Sequence, residues 1–158
     1  MHFRKKTIFA QSTVDISSMI EEVILFQIDK TSKIAKQYSQ GEFDRLNLDI
    51  TVEQWILLKI IHENVGMSQK DIAVKSLRDP ASITRTLDIL QKKKLLTRSP
   101  IPENRRQYKI DLTKKGKQFI DKHMSLIKTH RKRSVRKISK SDQKKLVELL
   151  QKIQHNMQ

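Results

Sequence analysis

The chain has 158 residues, with 33 Lys/Arg against 17 Asp/Glu for a formal charge of +16, 37% hydrophobic and 32% charged residues, and no cysteine. That size suits one domain, or one domain with appendages. The missing cysteine excludes disulfide frameworks, thiolate metal sites, cysteine nucleophiles and thiol redox sensing. Three glycines are too few for a Gly-rich phosphate loop, and the scarcity of turn residues argues against many-hairpin β folds. The charge is unevenly placed. Residues 1–50 carry seven of each sign and residues 51–90 five of each, so the whole excess lies in residues 91–158, with 21 basic and five acidic residues. Such asymmetry points to a polyanion, with nucleic acid ahead of an acidic membrane surface, against the plain alternative of a solvated face.

No stretch approaches the 18 apolar residues of a membrane span. Met1–Ala10 is too short in its apolar part for a signal peptide, so a cytoplasmic location is the expectation. From about Thr13 to Tyr38, apolar residues recur at steps of three and four, which predicts a long helix. Residues 39–50 read as a polar turn around Gly41. Thr51-x-x-Gln54 is a capping box opening a second helix with Trp55, Leu58 and Ile61 at helical spacing, ended by Gly66. Ser68 to Asp71 is a similar cap, for a short helix to about Ser76. Asp79-Pro80 then starts a helix carrying Ile83, Leu87 and Leu90 on one face, to about Lys93.

Two short helices across a tight turn read as a helix-turn-helix. Leu95–Ile101 and Gln107–Leu112 are strand candidates around a polar tip at 102–106. In the second, Tyr108, Ile110 and Leu112 alternate with polar residues and are expected on the buried face. A helix-turn-helix followed by a hairpin is a winged helix. Thr113 caps a further helix to about Arg133, and Ser139-x-x-Asp142 caps a last one bearing Leu146, Leu149, Leu150 and Ile153. The expected fold is mainly α, in the order α-α-α-α-β-β-α-α. The expected domains are 1–45 (dimerisation helix), 46–113 (winged helix) and 114–158 (dimerisation helices), because the terminal helices have apolar faces with no evident internal partner.

The segment DPASITRTLDILQKKKLLTRSPIPENRRQYKIDLTKKG (79–116) resembles the recognition helix and wing of the MarR family of bacterial regulators, and LDITVEQWILLKIIHENVGMSQKDIA resembles the elements before them. The passage into Leu112-Thr113-x-x-Gly116 is the most diagnostic part. The resemblance implies a homodimeric winged-helix transcriptional regulator, a repressor, cytoplasmic, possessing no enzymatic activity, and open to control by a small amphipathic effector. It depends on no cofactor. Two positions depart from the family pattern. The wing-tip Asp-x-Arg is Asn104 and Arg106 here, so the brace on the arginine loses its ionic component. Lys94 stands where the family has glycine; a left-handed lysine costs about 1 kcal/mol relative to glycine unless the helix ends differently.

Double-stranded DNA offers phosphates for affinity and base edges for sequence. With Ile83, Leu87 and Leu90 inward, Ala81, Ser82 and Arg85 face outward, with Thr84 at the flank. Arg85 is the candidate for a bidentate guanine contact, against an ion pair with Asp88 three positions further along the helix. Ser68 and Gln69, at a helix start, are candidates for a phosphate. Arg105 and Arg106 at the wing tip are candidates for the minor groove. Arg98, Lys109 and Lys93 are candidates for phosphates. A second basic run, 122–145, reaches flanking phosphates or stays solvated. The five histidines lack metal-site spacing, no nucleophile elbow or zinc-protease motif occurs, and Lys128–Lys140 has too little apolar surface for a membrane helix. Two functional classes remain. One is a sequence-specific regulator binding as a homodimer. The other is a basic architectural protein that binds nucleic acid without sequence preference.

Overall fold

The computed structural model describes residues 19–101 and 104–158, with the side chains of 104–106 outside the description. The part of the expected first helix before Met19 lies outside it as well. The described residues fall in two compact units, one ending at Gly41 and the other running from Glu42 to Gln158.

A single 3-10 turn, Ile20–Glu22, precedes α1 (Ile24–Arg45). The turn expected around Gly41 does not form, and α1 runs through it. One glycine in a helix costs only about 1 kcal/mol, and the following turn is anchored: Phe43 is buried, and Arg45 donates two hydrogen bonds to Glu42. The chain then turns at Asn47, which takes a left-handed conformation (φ 50°) that asparagine tolerates.

The second helix, α2 (Val52–Glu63), has the expected capping box. Thr51 Oγ1 accepts from Gln54 N–H (3.2 Å), and Gln54 Oε1 accepts from Thr51 N–H (3.2 Å). Trp55, Leu57, Leu58 and Ile61 are buried and form the centre of the core. The Trp55 ring stands edge-on to Phe43, with centroids 6.3 Å apart, and tilted against Phe119 at 6.4 Å.

A two-residue strand absent from the sequence reading follows, β1 (Met67–Ser68). It pairs antiparallel with β3 (Asn104–Leu112), in the register Met67 with Ile110 and Ser68 with Lys109. Gly66 makes the entry at φ 79°, and its N–H donates to Asp111 Oδ1 at 3.0 Å. Helices α3 (Gln69–Ser76) and α4 (Pro80–Lys92) form the helix-turn-helix. Strand β2 (Leu96–Ile101) pairs with β3, giving a three-stranded antiparallel sheet in the order β1-β3-β2. β3 begins at Asn104, so the second wing strand starts three residues earlier than expected. Tyr108 shares the face of Ile110 and Leu112 but is 45% exposed, because the strand has by then passed the edge of the core. Two long helices close the chain: α5 (Lys114–Ser134), with Ile120, Ile127 and His130 buried, and α6 (Lys140–Asn156).

The end of α4 settles the question posed by Lys94. Lys94 adopts φ 61°. Its N–H donates to the Gln91 carbonyl (2.8 Å) and the Leu95 N–H to the Leu90 carbonyl (3.0 Å). This pair of bonds is the Schellman motif, with buried Leu90 and Leu95 as its apolar contact. A lysine therefore occupies a glycine conformation. Lys94→Gly is expected to stabilise the fold by about 1 kcal/mol, or about 2–4 °C in Tm. A thermal melt of the purified variant checks it; no increase would mean that the lysine conformation carries no strain.

Candidate nucleic-acid interface

Helix α4 is amphipathic, and its buried face is the expected one: Ile83, Leu87 and Leu90 have no exposed surface. Asp79 caps it, accepting from the N–H groups of Ala81 (2.9 Å) and Ser82 (3.2 Å). Ala81 and Arg85 are exposed, and Ser82 and Thr84 are half-buried. Arg85 makes no ion pair among the described residues. The alternative pairing with Asp88 does not occur, because Asp88 is taken by another arginine.

That arginine is Arg98, on β2. Its Nη1 lies 2.5 Å from Asp88 Oδ1 and donates to Gln91 Oε1 (3.1 Å), while Nη2 donates to the Thr84 carbonyl (3.4 Å). The Arg98 side chain is only 18% exposed. It fastens the wing strand to the outer side of α4. This placement differs from that of an open phosphate ligand.

The two helices of the motif are joined on the same side. Gln69 Nε2 donates to Thr84 Oγ1 (2.7 Å), which itself donates to the Pro80 carbonyl (2.9 Å). Ser68 is held in its own cap: its Oγ donates to Asp71 Oδ2 (2.7 Å), and its N–H donates there as well (3.2 Å). Lys109 lies over Gly66 and pairs with Asp111 at 3.3 Å. Lys93 turns away from α4 to Asp49, at 2.6 Å. The tip side chains of Arg105 and Arg106 lie outside the described residues.

An open groove of about 860 Å³ runs between the start of α3, Pro80 and the wing. Lys70, Gln107 and Tyr108 line it beside Ser68 and Gln69. The sequence reading did not single out these three. Lys70 had a signal, being a cation in the first turn of α3. Tyr108 had none, since strand alternation placed it inward.

The far end of α5 holds an ionic cluster. Glu42 accepts hydrogen bonds from Arg45 Nη2 (2.9 Å) and Arg133 Nη2 (2.7 Å). Arg45 first, and Arg133 with it, hold the carboxyl down to about 2, against the opposing effect of burial. A depressed carboxylate contributes stability that is present above its ordinary value near 4.5 and is lost as pH falls toward 2. Wild type is therefore expected to lose more stability than Glu42→Gln between pH 4.5 and 2.5, measured by urea denaturation at each pH. Parallel curves would show that the cluster adds nothing. Buried His130 acts in the same direction nearer neutrality, because burial pushes its imidazole below the ordinary range.

These features define a winged helix-turn-helix, with its recognition helix tied both to α3 and to the wing. The family model described as MarR family matches residues 50–108. A Bacillus subtilis (strain 168) relative, the uncharacterized HTH-type transcriptional regulator YhbI, is 39% identical over 74 residues, 47% of this chain and 48% of that protein. The match thus spans about half the length of the curated relative. A MarR/EmrR family regulator from Acinetobacter sp. ADP1 superposes with a TM-score of 0.80 at 19% identity, covering 88% of this chain and 97% of that one. A mutant MarR from E. coli, complexed with operator DNA, superposes with a TM-score of 0.76 at 21% identity, covering 87% and 99%. The MarR family match thus lies within the winged helix, at residues 50–108, and the described chain shares the fold of these solved regulators. Among the described residues, no helix is long and apolar enough to cross a membrane.

Proposed function

We propose that this chain is a cytoplasmic, homodimeric, sequence-specific DNA-binding regulator that acts as a repressor. In this reading α4 enters the major groove, with Arg85 on a base edge and Ala81, Ser82 and Thr84 beside it. Ser68, Gln69 and Lys109 face the flanking phosphates, and Arg105 and Arg106 reach from the wing tip into the minor groove. The observation that carries it is Arg85: an exposed cation, without an ion pair among the described residues, on a helix whose neighbours Thr84 and Asp88 are held by Gln69 and Arg98. The relative solved on operator DNA supports the choice of partner. Dimerisation is supported by apolar side chains left exposed on α1 (Ile24, Leu25, Ile34) and on α6 (Leu146, Val147, Leu149). The domain division 1–45, 46–113 and 114–158 follows from this reading. Response to a small effector would act by differential affinity for two dimer geometries.

The test is binding to the intergenic DNA upstream of its own gene and to a scrambled duplex, by fluorescence anisotropy. Arg85→Ala is expected to weaken specific binding roughly 10- to 100-fold, the worth of one bidentate base contact, and to leave binding to the scrambled duplex almost unchanged. Equal loss on both would remove Arg85 from sequence reading. The second reading, a binder without sequence preference, is favoured by the concentration of all +16 charges in residues 91–158. A specific regulator prefers its site by about 10³–10⁷, which an architectural binder does not.

A further inference from the structure

Cations in this protein fall into two populations. In the winged helix many are neutralised: Lys59 by Glu63, Arg78 by Glu53, Lys93 by Asp49, Arg98 by Asp88 and Lys109 by Asp111. Where α5 meets α6 the pattern reverses. Residues 128–145 hold nine Lys/Arg and one acid, Asp142. Among the described residues only one of the nine, Arg133, has an ion pair, with Glu42 at 2.7 Å. Asp142 is committed to the cap of α6, where it accepts from Ser139 Oγ at 2.6 Å.

Helix stability accounts for part of this charge only. Arg131–Arg133 sit in the last turn of α5, where the helix dipole favours cations. Lys140 opens α6, with Lys144 and Lys145 one turn on, where the dipole opposes them. The junction at Val135–Ser139 is short and bonded, with Ile138 N–H on the Val135 carbonyl (3.0 Å) and Gln143 Nε2 on the Ile138 carbonyl (2.8 Å). It brings both basic segments to one corner. At 1.5 Å per residue, Arg131 lies about 22 Å along α5 from Gly116, which itself abuts Leu95 just past the end of α4. The corner is therefore a separate surface from the recognition helix.

We infer that the α5–α6 corner is a second binding surface for the phosphodiester backbone of duplex DNA, used in addition to the helix-turn-helix. Its exposed lysines and arginines suit a regular row of phosphates, one charge per 1.7 Å of duplex axis. Between Lys128 and Ser139 only Val135 and Ile138 offer apolar surface outside the core, too little for insertion into a lipid interface. The inference rests on the proposed DNA binding. The duplex is either the flank of the bound site or a second molecule.

The test compares wild type with a variant carrying Arg131→Gln, Lys132→Gln, Arg136→Gln, Lys137→Gln and Lys144→Gln. Random-sequence duplexes of about 20 and 60 base pairs are titrated over a salt series, and two differently labelled short duplexes report bridging by energy transfer. The substitutions are expected to leave the melting temperature unchanged and to lower the salt slope by about 0.9 per lost phosphate. They also remove the advantage of the long duplex if the flank is held, or the bridging signal if a second duplex is held. A companion variant with Lys132→Arg, Lys137→Arg and Lys144→Arg keeps wild-type binding. Wild-type slope, length dependence and bridging in the glutamine variant would overturn the inference while leaving the winged-helix reading intact. So would a loss confined to binding of phosphatidylserine vesicles. Failure of wild type to bind any duplex would instead overturn the proposed function.

Discussion

Gly116→Ala is expected to destabilise the protein by roughly 3 kcal/mol, the upper end of what forced overpacking costs. In an ordinary helix the same change stabilises by about 1 kcal/mol, so the sign itself is the test. A Cβ at position 116 would stand 2.0 Å from the Leu95 carbonyl oxygen and 3.0 Å from its carbon. Neither atom is free to retreat. That carbonyl accepts the Thr113 N–H (3.1 Å), while Thr113 Oγ1 donates to the Lys94 carbonyl (2.7 Å) and accepts the Gly116 N–H (3.0 Å). Lys115 Nζ adds a bond to the Lys93 carbonyl (3.0 Å). The first turn of α5 is thus seated on Lys93–Leu95, the residues that close the recognition helix, and the glycine is the point of closest approach. Gly41→Ala is the control: a Cβ there meets nothing within 4 Å, and a stability gain of up to about 1 kcal/mol is expected. Urea denaturation of both variants decides it. Stabilisation by Gly116→Ala would mean that α5 does not rest on Leu95.

The second large effect concerns Arg98. Truncation to alanine is expected to lower stability by about 1.5–3 kcal/mol, as for hydrogen bonds to a charged group, and affinity for specific DNA about tenfold, which is 1.4 kcal/mol. Two causes add. The recognition helix loses its tie to β2, and Asp88 is left as an unneutralised carboxylate beside it. A direct phosphate ligand would behave differently, since its loss lowers the salt slope by about 0.9. Arg98 acting through Asp88 and Thr84 leaves that slope unchanged. Neighbouring groups that work as a pair are also non-additive. Asp88→Ala combined with Arg98→Ala is therefore expected to bind DNA better than Arg98→Ala alone. A fallen slope, or simple additivity, would return Arg98 to the set of phosphate ligands.

Much of this protein was legible in its local sequence. Each of the caps at Thr51, Ser68, Asp79, Thr113 and Ser139 starts a helix where the side-chain pattern predicts one. Capping and 3.6-residue periodicity are interactions over three or four positions, so one segment suffices to read them. The inward face of α4 and the family-like Leu112-Thr113-x-x-Gly116 passage were visible for the same reason. Segment-wise charge counting likewise located the basic excess.

What the sequence could not decide depends on partners distant along the chain. Strand β1 has two residues and no period of its own; it exists because β3, some forty residues later, supplies its hydrogen bonds. Gly41 signals a turn locally, yet burial of Phe43 two residues on keeps the helix going. Arg98, Lys93 and Lys109 all read as open cations. Only the folded chain sets Asp88, Asp49 and Asp111 against them, and leaves Arg85 and every cation of the α5–α6 corner but Arg133 without such partners among the described residues. Local sequence determined where helices begin and which faces are apolar, because those energies are short-ranged. The tertiary structure decided which charges are spent on the fold and which remain for a ligand, because Coulomb pairing depends on distance in space and not on distance along the chain.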